Sequence, residues 1–444
     1  MSLGQWIALV VLAVVIVIGA GVAWFMLPPR ALSFAGGRPV QLADYKGPDP
    51  TGVPAELRNA DLVKRGEYLT KAADCEVCHT TEGGQPYSGG LPFKTPFGTL
   101  YSPNITADRQ TGIGAWSDAE FIRAVHKGIA RDGSRLYPAF PYESYTLLSD
   151  DDVRAIRAYL FSLPVAHATA PPNALAFPFN QRWLMGFWSA FYNPDQRFRP
   201  HEDRSPEWNR GAYLVEGLAH CGDCHTPRNL GQALDNRQKF GGTVTQGWRA
   251  YNITADKASG IGAWTDEDVA AYLASGHAAG RGSAGGPMAE AVDVSLSTLT
   301  PADIRAMVAY LRTVPAISTR NLPAPRATAA SDQPKLMVAG IDPRGKQVFE
   351  GACASCHSWS GVSLLTSYAT LTGSRSVNDP SAINVAQIVL SGERRRTAQG
   401  EVMMPAFGHA YSDTEIAAVS NYVTARFGTK GSSLTAKDVA KLRQ

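Results

Sequence analysis

The chain has 444 residues, 44% of them apolar and 18% charged, and a formal net charge of +3. That length exceeds what one hydrophobic core supports, so three units of about 100 residues each plus linkers are expected. So small a net charge gives no basic surface for nucleic acid, and no nucleic-acid partner is expected.

Residues Trp6 to Leu27 carry no charge, and as a helix they would cover about 30 Å, the thickness of a bilayer's hydrocarbon layer. Trp6 and Trp24 stand near the two ends, where aromatic rings favour the interface. Gly21-Val22-Ala23 offers small residues to a signal peptidase, which is the competing reading. Against it, no Lys or Arg precedes the run, and the run is longer than an ordinary signal core. An uncleaved anchor over residues 1–30 is therefore expected, followed by a Gly- and Pro-rich stalk over 31–62.

Cys75-Glu-Val-Cys78-His79 comes next and recurs as Cys221-Gly-Asp-Cys224-His225 and Cys353-Ala-Ser-Cys356-His357, which uses all six cysteines. In Cys-x-x-Cys-His the two thiols can add across the vinyl groups of one haem while the adjacent imidazole ligates its iron. A zinc site would need such pairs in twos, and a thioredoxin-like pair needs no His and sits near a βαβ pattern. Three covalently bound haem c groups are expected, with His79, His225 and His357 as proximal ligands. Haem attachment of this kind occurs outside the bacterial cytoplasm, so the expected place is the periplasmic side of the inner membrane.

Each unit opens with Arg-Gly ahead of its motif (Arg65-Gly66, Arg210-Gly211, Arg344-Gly345) and closes with a helix begun by a hydroxyl cap and an acid three residues on. Those pairs are Ser149 with Asp152, Thr300 with Asp303, and Ser412 with Glu415. The units fall at 63–165, 209–316 and 343–428. An aromatic connection spans 166–208, a Pro/Ala-rich linker 317–342, and a polar tail 429–444. Asn104-Ile-Thr-Ala-Asp108 and Gly112-Ile-Gly-Ala-Trp116 recur at a fixed offset of 148 as Asn252–Asp256 and Gly260–Trp264, a duplication. The simplest role of these loops is to wall a haem and hold its propionates, with Trp116 and Trp264 as packing residues. The aromatic connection, with Trp183, Phe187, Trp188 and Phe191, reads as packing between units or against a partner, or else as membrane or quinone contact.

A helix leading to Cys-x-x-Cys-His, a ligand loop and a capped final helix resemble the class I cytochrome c fold. The resemblance implies a mainly α protein of three tandem class I domains behind a transmembrane helix. It also implies close helix crossings pairing Gly66 with Tyr159, Gly211 with Tyr310 and Gly345 with Tyr422, and a methionine as sixth iron ligand. Met404, in Met404-Pro-Ala-Phe407, matches the ligand loop of the third unit, with Met403 as its neighbour. Met288, in Gly286-Pro287-Met288, stands in the corresponding loop of the second. The offset from Met288 lands on Phe140, which cannot ligate iron. For the first haem the nearby thioether is Met185 in the connection, with His126, His167 or an open position as alternatives.

The three motifs, the duplicated strings and Leu136-Tyr-Pro-Ala resemble the trihaem cytochrome c subunits of bacterial membrane-bound dehydrogenases for alcohols, aldehydes and gluconate. The resemblance implies electron relay from a separate catalytic subunit to ubiquinone or a terminal carrier, with no substrate chemistry on this chain. Phe140, the N-terminal helix and the polar tail depart from the alcohol-dehydrogenase branch. They favour a molybdopterin partner with an iron–sulfur subunit, serving an aldehyde, over a quinoprotein or flavoprotein. Two other readings stand beside it: an enzyme acting at an open first haem, of peroxidase or thiosulfate-oxidising type, and a cytochrome subunit of a terminal oxidase.

Overall fold

The computed structural model describes residues 2–325, 342–398 and 400–443. The uncharged N-terminal run forms α1 (Leu3–Met26), along which Trp6, Leu9, Val14 and Ile16 are all exposed. Counted over the described residues, no helix is long and apolar enough to cross a membrane.

The first repeat runs through α2 (Leu62–Ala72), α3 (Cys75–His79), the hairpin β1 (Pro92–Thr95) with β2 (Gly98–Tyr101), α4 (Asp118–Lys127), α5 (Tyr142–Tyr145) and α6 (Asp150–Ser162). The connection adds β3 (Ala174–Leu175) to the edge of β2 and then forms α7 (Leu184–Tyr192). The second repeat follows with α8 (Pro206–Tyr213), a π-helical turn over Leu214–Leu218, and α9 (Gly222–His225). It continues through β4 (Thr243–Thr245), β5 (Trp248–Ala250), α10 (Asp266–Ser275), β6 (His277–Ala278), β7 (Gly282–Ser283), α11 (Pro287–Val294) and α12 (Pro301–Leu311). The third comprises α13 (Pro343–Val348), a π-helical turn over Phe349–Cys353, α14 (Ala354–His357), α15 (Ile383–Ser391), β8 (Glu393–Thr397), β9 (Gly400–Met404), α16 (Asp413–Phe427) and α17 (Ala436–Leu442).

In each repeat the opening helix crosses the closing one at a glycine. A Cβ on Gly66 would lie 1.9 Å from the Ala155 carbonyl oxygen, on Gly211 1.9 Å from that of Ala306, and on Gly345 2.2 Å from that of Ala418. Tyr159, Tyr310 and Tyr422 supply the facing Cβ atoms, each 2.9 Å away. Only a residue without a side chain permits the two backbones to come so near. The closing helices begin where the hydroxyl caps stand: Ser149, Thr300 and Ser412 each accept a bond from the backbone N–H three residues on. Glu415 returns that bond to Ser412, completing a capping box, whereas Asp152 and Asp303 turn their carboxylates elsewhere.

Where one core per unit is expected, the first two repeats share a single continuous core reaching from Ala35 to Val314. The third repeat keeps its own, around Phe349, Tyr422 and Phe427. The 31–62 segment does not stand free as a stalk. Arg210 donates to the carbonyls of Pro50 and Gly52 at 2.9 Å each, Gly52 N–H donates to Asp152 at 2.9 Å, and Phe34 packs on Tyr310. It is a strap across the junction of the first two repeats. Nor is the C-terminal stretch a loose polar tail: α17 buries Val439 in the third core, and Arg443 holds Asp413 at 2.5 Å. Most of the expected linker, residues 326–341, lies outside the described residues.

Candidate haem-binding sites

The residue before the first motif cysteine in each of the first two repeats, Asp74 and His220, adopts a left-handed backbone (φ +54° and +37°). This breaks the opening helix and starts a new short one that carries Cys-x-x-Cys-His. In these two repeats the helix is thus broken between Arg-Gly and the motif, whereas in the third α13 passes through its π-helical turn into α14 without interruption. In the second and third repeats the backbone also widens into the π-helical turns before the thiols.

The three motif histidines are held alike. Their Nδ1 atoms lie against backbone carbonyls: His79 on Pro103 at 2.8 Å, His225 on Tyr251 at 2.6 Å and His357 on Ala369 at 2.6 Å. A carbonyl accepts only, so Nδ1 carries the proton and Nε2 keeps its lone pair for a metal. Burial lowers the proton affinity of all three, with the carbonyl bond opposing it, which favours the neutral, ligating imidazole. All six cysteines are free of disulfides. Burial pushes the thiols of Cys75 and Cys221 up to about 12, and those of Cys224 and Cys353 up to about 11. Among the described residues no cluster of three or more His, Cys, Asp or Glu is arranged to hold a bare metal ion. Paired thiols beside one oriented imidazole, three times over, fit a covalently attached haem, so the donor set agrees with the cofactor expected.

The sixth-ligand candidates lie in different settings. Met404 ends β9, opposite Glu393, rather than lying in an open loop. It packs on the third core while its neighbour Met403 is exposed, as alternation along a strand requires. Met288 is the second residue of α11 and packs against the shared core. Phe140 sits against Tyr145, with ring centroids 5.5 Å apart. Met185 is half-buried on α7, which lies across the Leu136–Tyr142 stretch: the Tyr137 hydroxyl donates to the Phe179 carbonyl at 2.9 Å, and Tyr142 meets Ser189 at 3.2 Å. The His126 ring is buried, and its Nε2 has no hydrogen-bond partner. His167 is exposed beside Asp108 at 3.4 Å.

The duplicated loops spend their polar groups on themselves. Asn104 accepts from Thr106 N–H at 2.9 Å and donates to the Ala166 carbonyl at 2.7 Å, while Asn252 does the same with Thr254 at 2.8 Å and Ile317 at 2.5 Å. Asp108 and Asp256 each take the N–H three residues on at 2.6 Å. Such closed networks shape the loops and occupy the side chains of Asn104, Asp108, Asn252 and Asp256. Trp116 and Trp264 pack on the core, their carbonyls taken by Arg157 at 2.5 Å and Arg312 at 2.6 Å.

The contacts between the first two motifs are not legible in the sequence. The α5 helix lies beside the π-helical turn that leads to α9, and α11 lies beside α3. The ligand-loop helix of each repeat thus packs on the haem-binding stretch of the other. Arg228 bridges Asp223 at 2.9 Å and Glu143 at 3.0 Å, and the Ser144 hydroxyl donates to Asp223 at 3.2 Å. The Tyr145 ring stacks 5.3 Å from His220 while its hydroxyl donates to the Ala73 carbonyl at 2.6 Å. The two motifs are close enough for the charge of Cys224 to add to burial in raising the Cys78 thiol.

A Gly-to-aromatic helix crossing, a motif helix with an anchored histidine and a ligand loop, occurring three times, define a c-type cytochrome. The chain belongs to the cytochrome c family, which it matches over residues 63–164, 209–315 and 343–426. It is 38% identical over 405 residues to the gluconate 2-dehydrogenase cytochrome c subunit of Pantoea cypripedii, covering 87% of this chain and 90% of that one. To the fructose dehydrogenase cytochrome subunit of Gluconobacter japonicus it is 36% identical over 401 residues, covering 86% and 82%. To a nicotinate dehydrogenase component of Pseudomonas putida it is 39% identical over 371 residues, covering 83% of this chain and 30% of that longer protein. The chain is thus of the kind found as cytochrome subunits of membrane dehydrogenases, which transfer electrons and leave catalysis to another subunit.

Proposed function

We propose that this chain is held at the periplasmic face of the inner membrane by α1 and relays single electrons through three haems, from a separate dehydrogenase subunit to ubiquinone or a terminal carrier. Each haem, when bound, supplies a one-electron iron couple whose potential His/Met ligation raises. The chain's part is to attach it through Cys75 and Cys78, Cys221 and Cys224, or Cys353 and Cys356, and to orient His79, His225 or His357 beneath it. Met288, Met404 and, for the first repeat, Met185 are the sixth ligands of the proposal. For Met185 the support is that α7 folds back over the loop in which Phe140 stands.

The observation that carries the relay is the exchanged packing of α5 and α11, which fixes the first two motifs against each other inside one core. A fixed separation between carriers suits electron transfer, because no domain has to move between reduction and oxidation. For the anchor, the support is an uncharged run of 24 residues along which Leu3, Trp6, Leu9, Val14, Val17 and Val22 are exposed. The catalytic partner of the proposal is an aldehyde-oxidising molybdopterin subunit with a small iron–sulfur subunit. Purification from membranes through a tag on this chain, with mass identification of what accompanies it, tests the assignment. A quinoprotein or flavoprotein would keep the relay and change the substrate to an alcohol or sugar acid, whereas no dehydrogenase at all would overturn it.

A further inference from the structure

We propose that the outer face of α7 rests on the surface of a lipid bilayer beside the point where α1 leaves it, an inference that rests on reading α1 as the membrane anchor. Trp183, Phe187 and Phe191 follow one another at four-residue intervals, so they form a single stripe on the helix. They are 63%, 63% and 68% exposed. The opposite face is occupied by Ser189, which meets the Tyr142 hydroxyl at 3.2 Å, and on the flank beside the stripe Trp188 Nε1 donates to the Gly231 carbonyl at 2.7 Å while its ring packs edge-on to Tyr142 with centroids 5.8 Å apart. The helix is therefore fixed with its aromatic stripe outward, and a stripe of this kind facing water marks a contact surface.

The position of α7 decides what that contact is. The loop that receives Trp188 also receives the end of α1: the Asn229 side chain donates to the Met26 carbonyl at 3.0 Å, and that of Asn236 donates to the Pro29 carbonyl at 2.9 Å. Arg237 donates to the Trp24 carbonyl and lies over the Trp24 ring. Leu230, at the tip of the same loop, is 82% exposed. If α1 enters a bilayer, these contacts hold the loop, and α7 with it, at the headgroup level. Trp and Phe are suited to that depth. The charges agree, since α7 contains no acid, and the exposed Arg182 and Arg30 at this edge can meet lipid phosphates. The face is continuous with the anchor, which favours lipid over a protein partner.

The test uses the full haem-loaded chain in vesicles of phosphatidylethanolamine and phosphatidylglycerol, with a trace of phospholipid bearing a diazirine on its acyl chain. After photolysis, lipid adducts are mapped by mass spectrometry of peptides. Adducts are expected on the Trp183–Phe191 peptide as well as on α1. The W183S/F187S/F191S variant should lose the first and keep the second, with an unchanged haem spectrum. Adducts on α1 but none on α7 in the parent chain would overturn this inference and leave the anchor standing. Adducts on neither would overturn both.

Discussion

The Tyr68 hydroxyl on α2 donates to Asp303 of the second repeat at 2.6 Å, and the Tyr213 hydroxyl on α8 donates to Asp152 of the first at 2.5 Å. Each tyrosine also accepts a backbone N–H at the other repeat's cap, from Thr300 and from Ser149, both at 3.2 Å. This reciprocity explains why Asp152 and Asp303 leave their own capping boxes incomplete. They are the acids through which the two repeats are tied. Removing either hydroxyl leaves a buried carboxylate short of a donor, which costs about 1.5–3 kcal/mol. Y68F and Y213F are each expected to lower the unfolding midpoint of the transition belonging to the first two repeats, leaving that of the third unmoved. Calorimetry should resolve two transitions in the parent chain; three independent ones would contradict the shared core.

Just before Cys221, Glu216 is buried with Lys239 at 2.6 Å and also accepts from the Tyr310 hydroxyl. Breaking a buried pair by removing one partner costs about 3–5 kcal/mol, because the other charge stays behind. K239M should therefore lower both stability and haem attachment at the second motif, read as haem per chain and unfolding midpoint. The double variant K239M/E216L should recover most of that loss. If it falls further instead, the pair stabilises the fold by itself.

Burial, with Arg197 next, pushes His126 down to about 3, opposed chiefly by Asp195. Its unfolded value is about 6.5, so between those limits the unfolded chain binds a proton that the native one refuses. His126 thus contributes nothing to pH dependence above about 6.5 and removes stability as pH falls toward 3, by up to about 1.4 kcal/mol for each pH unit. H126L should shrink the fall in unfolding free energy over that window. An equally steep fall in the variant would mean that His126 is protonated in the native state.

If Met185, Met288 and Met404 are the sixth ligands as proposed, a thioether would block each iron, and the reduced parent chain is expected to bind no carbon monoxide. In M185L one haem of three should bind it, with the potential of that haem lowered. Carbon monoxide binding by the parent chain would instead mean that the position above the first haem is open.

Much of this molecule was legible from spacing alone. The haem motifs and the hydroxyl caps are local patterns, and each dictates its own short-range geometry; the three glycine crossings are long-range and came from the resemblance to the class I fold. What spacing could not convey was long-range: nothing in the sequence near Tyr68 indicates Asp303, and the apolar periodicity of α2 is the same whether its flank meets solvent or another repeat. The strap was misjudged for a related reason. Gly- and Pro-rich sequence reads as a free stalk, but its carbonyls at Pro50 and Gly52 are ordered by Arg210, far away in the chain.

The most direct measurement is to count covalently bound haem in the purified chain and follow its reduction with and without the copurified dehydrogenase subunit and its substrate. Three haems per chain are predicted, all reduced when subunit and substrate are both present and none reduced by substrate with the chain alone. Fewer than three haems, or reduction of the isolated chain by substrate, would contradict the account.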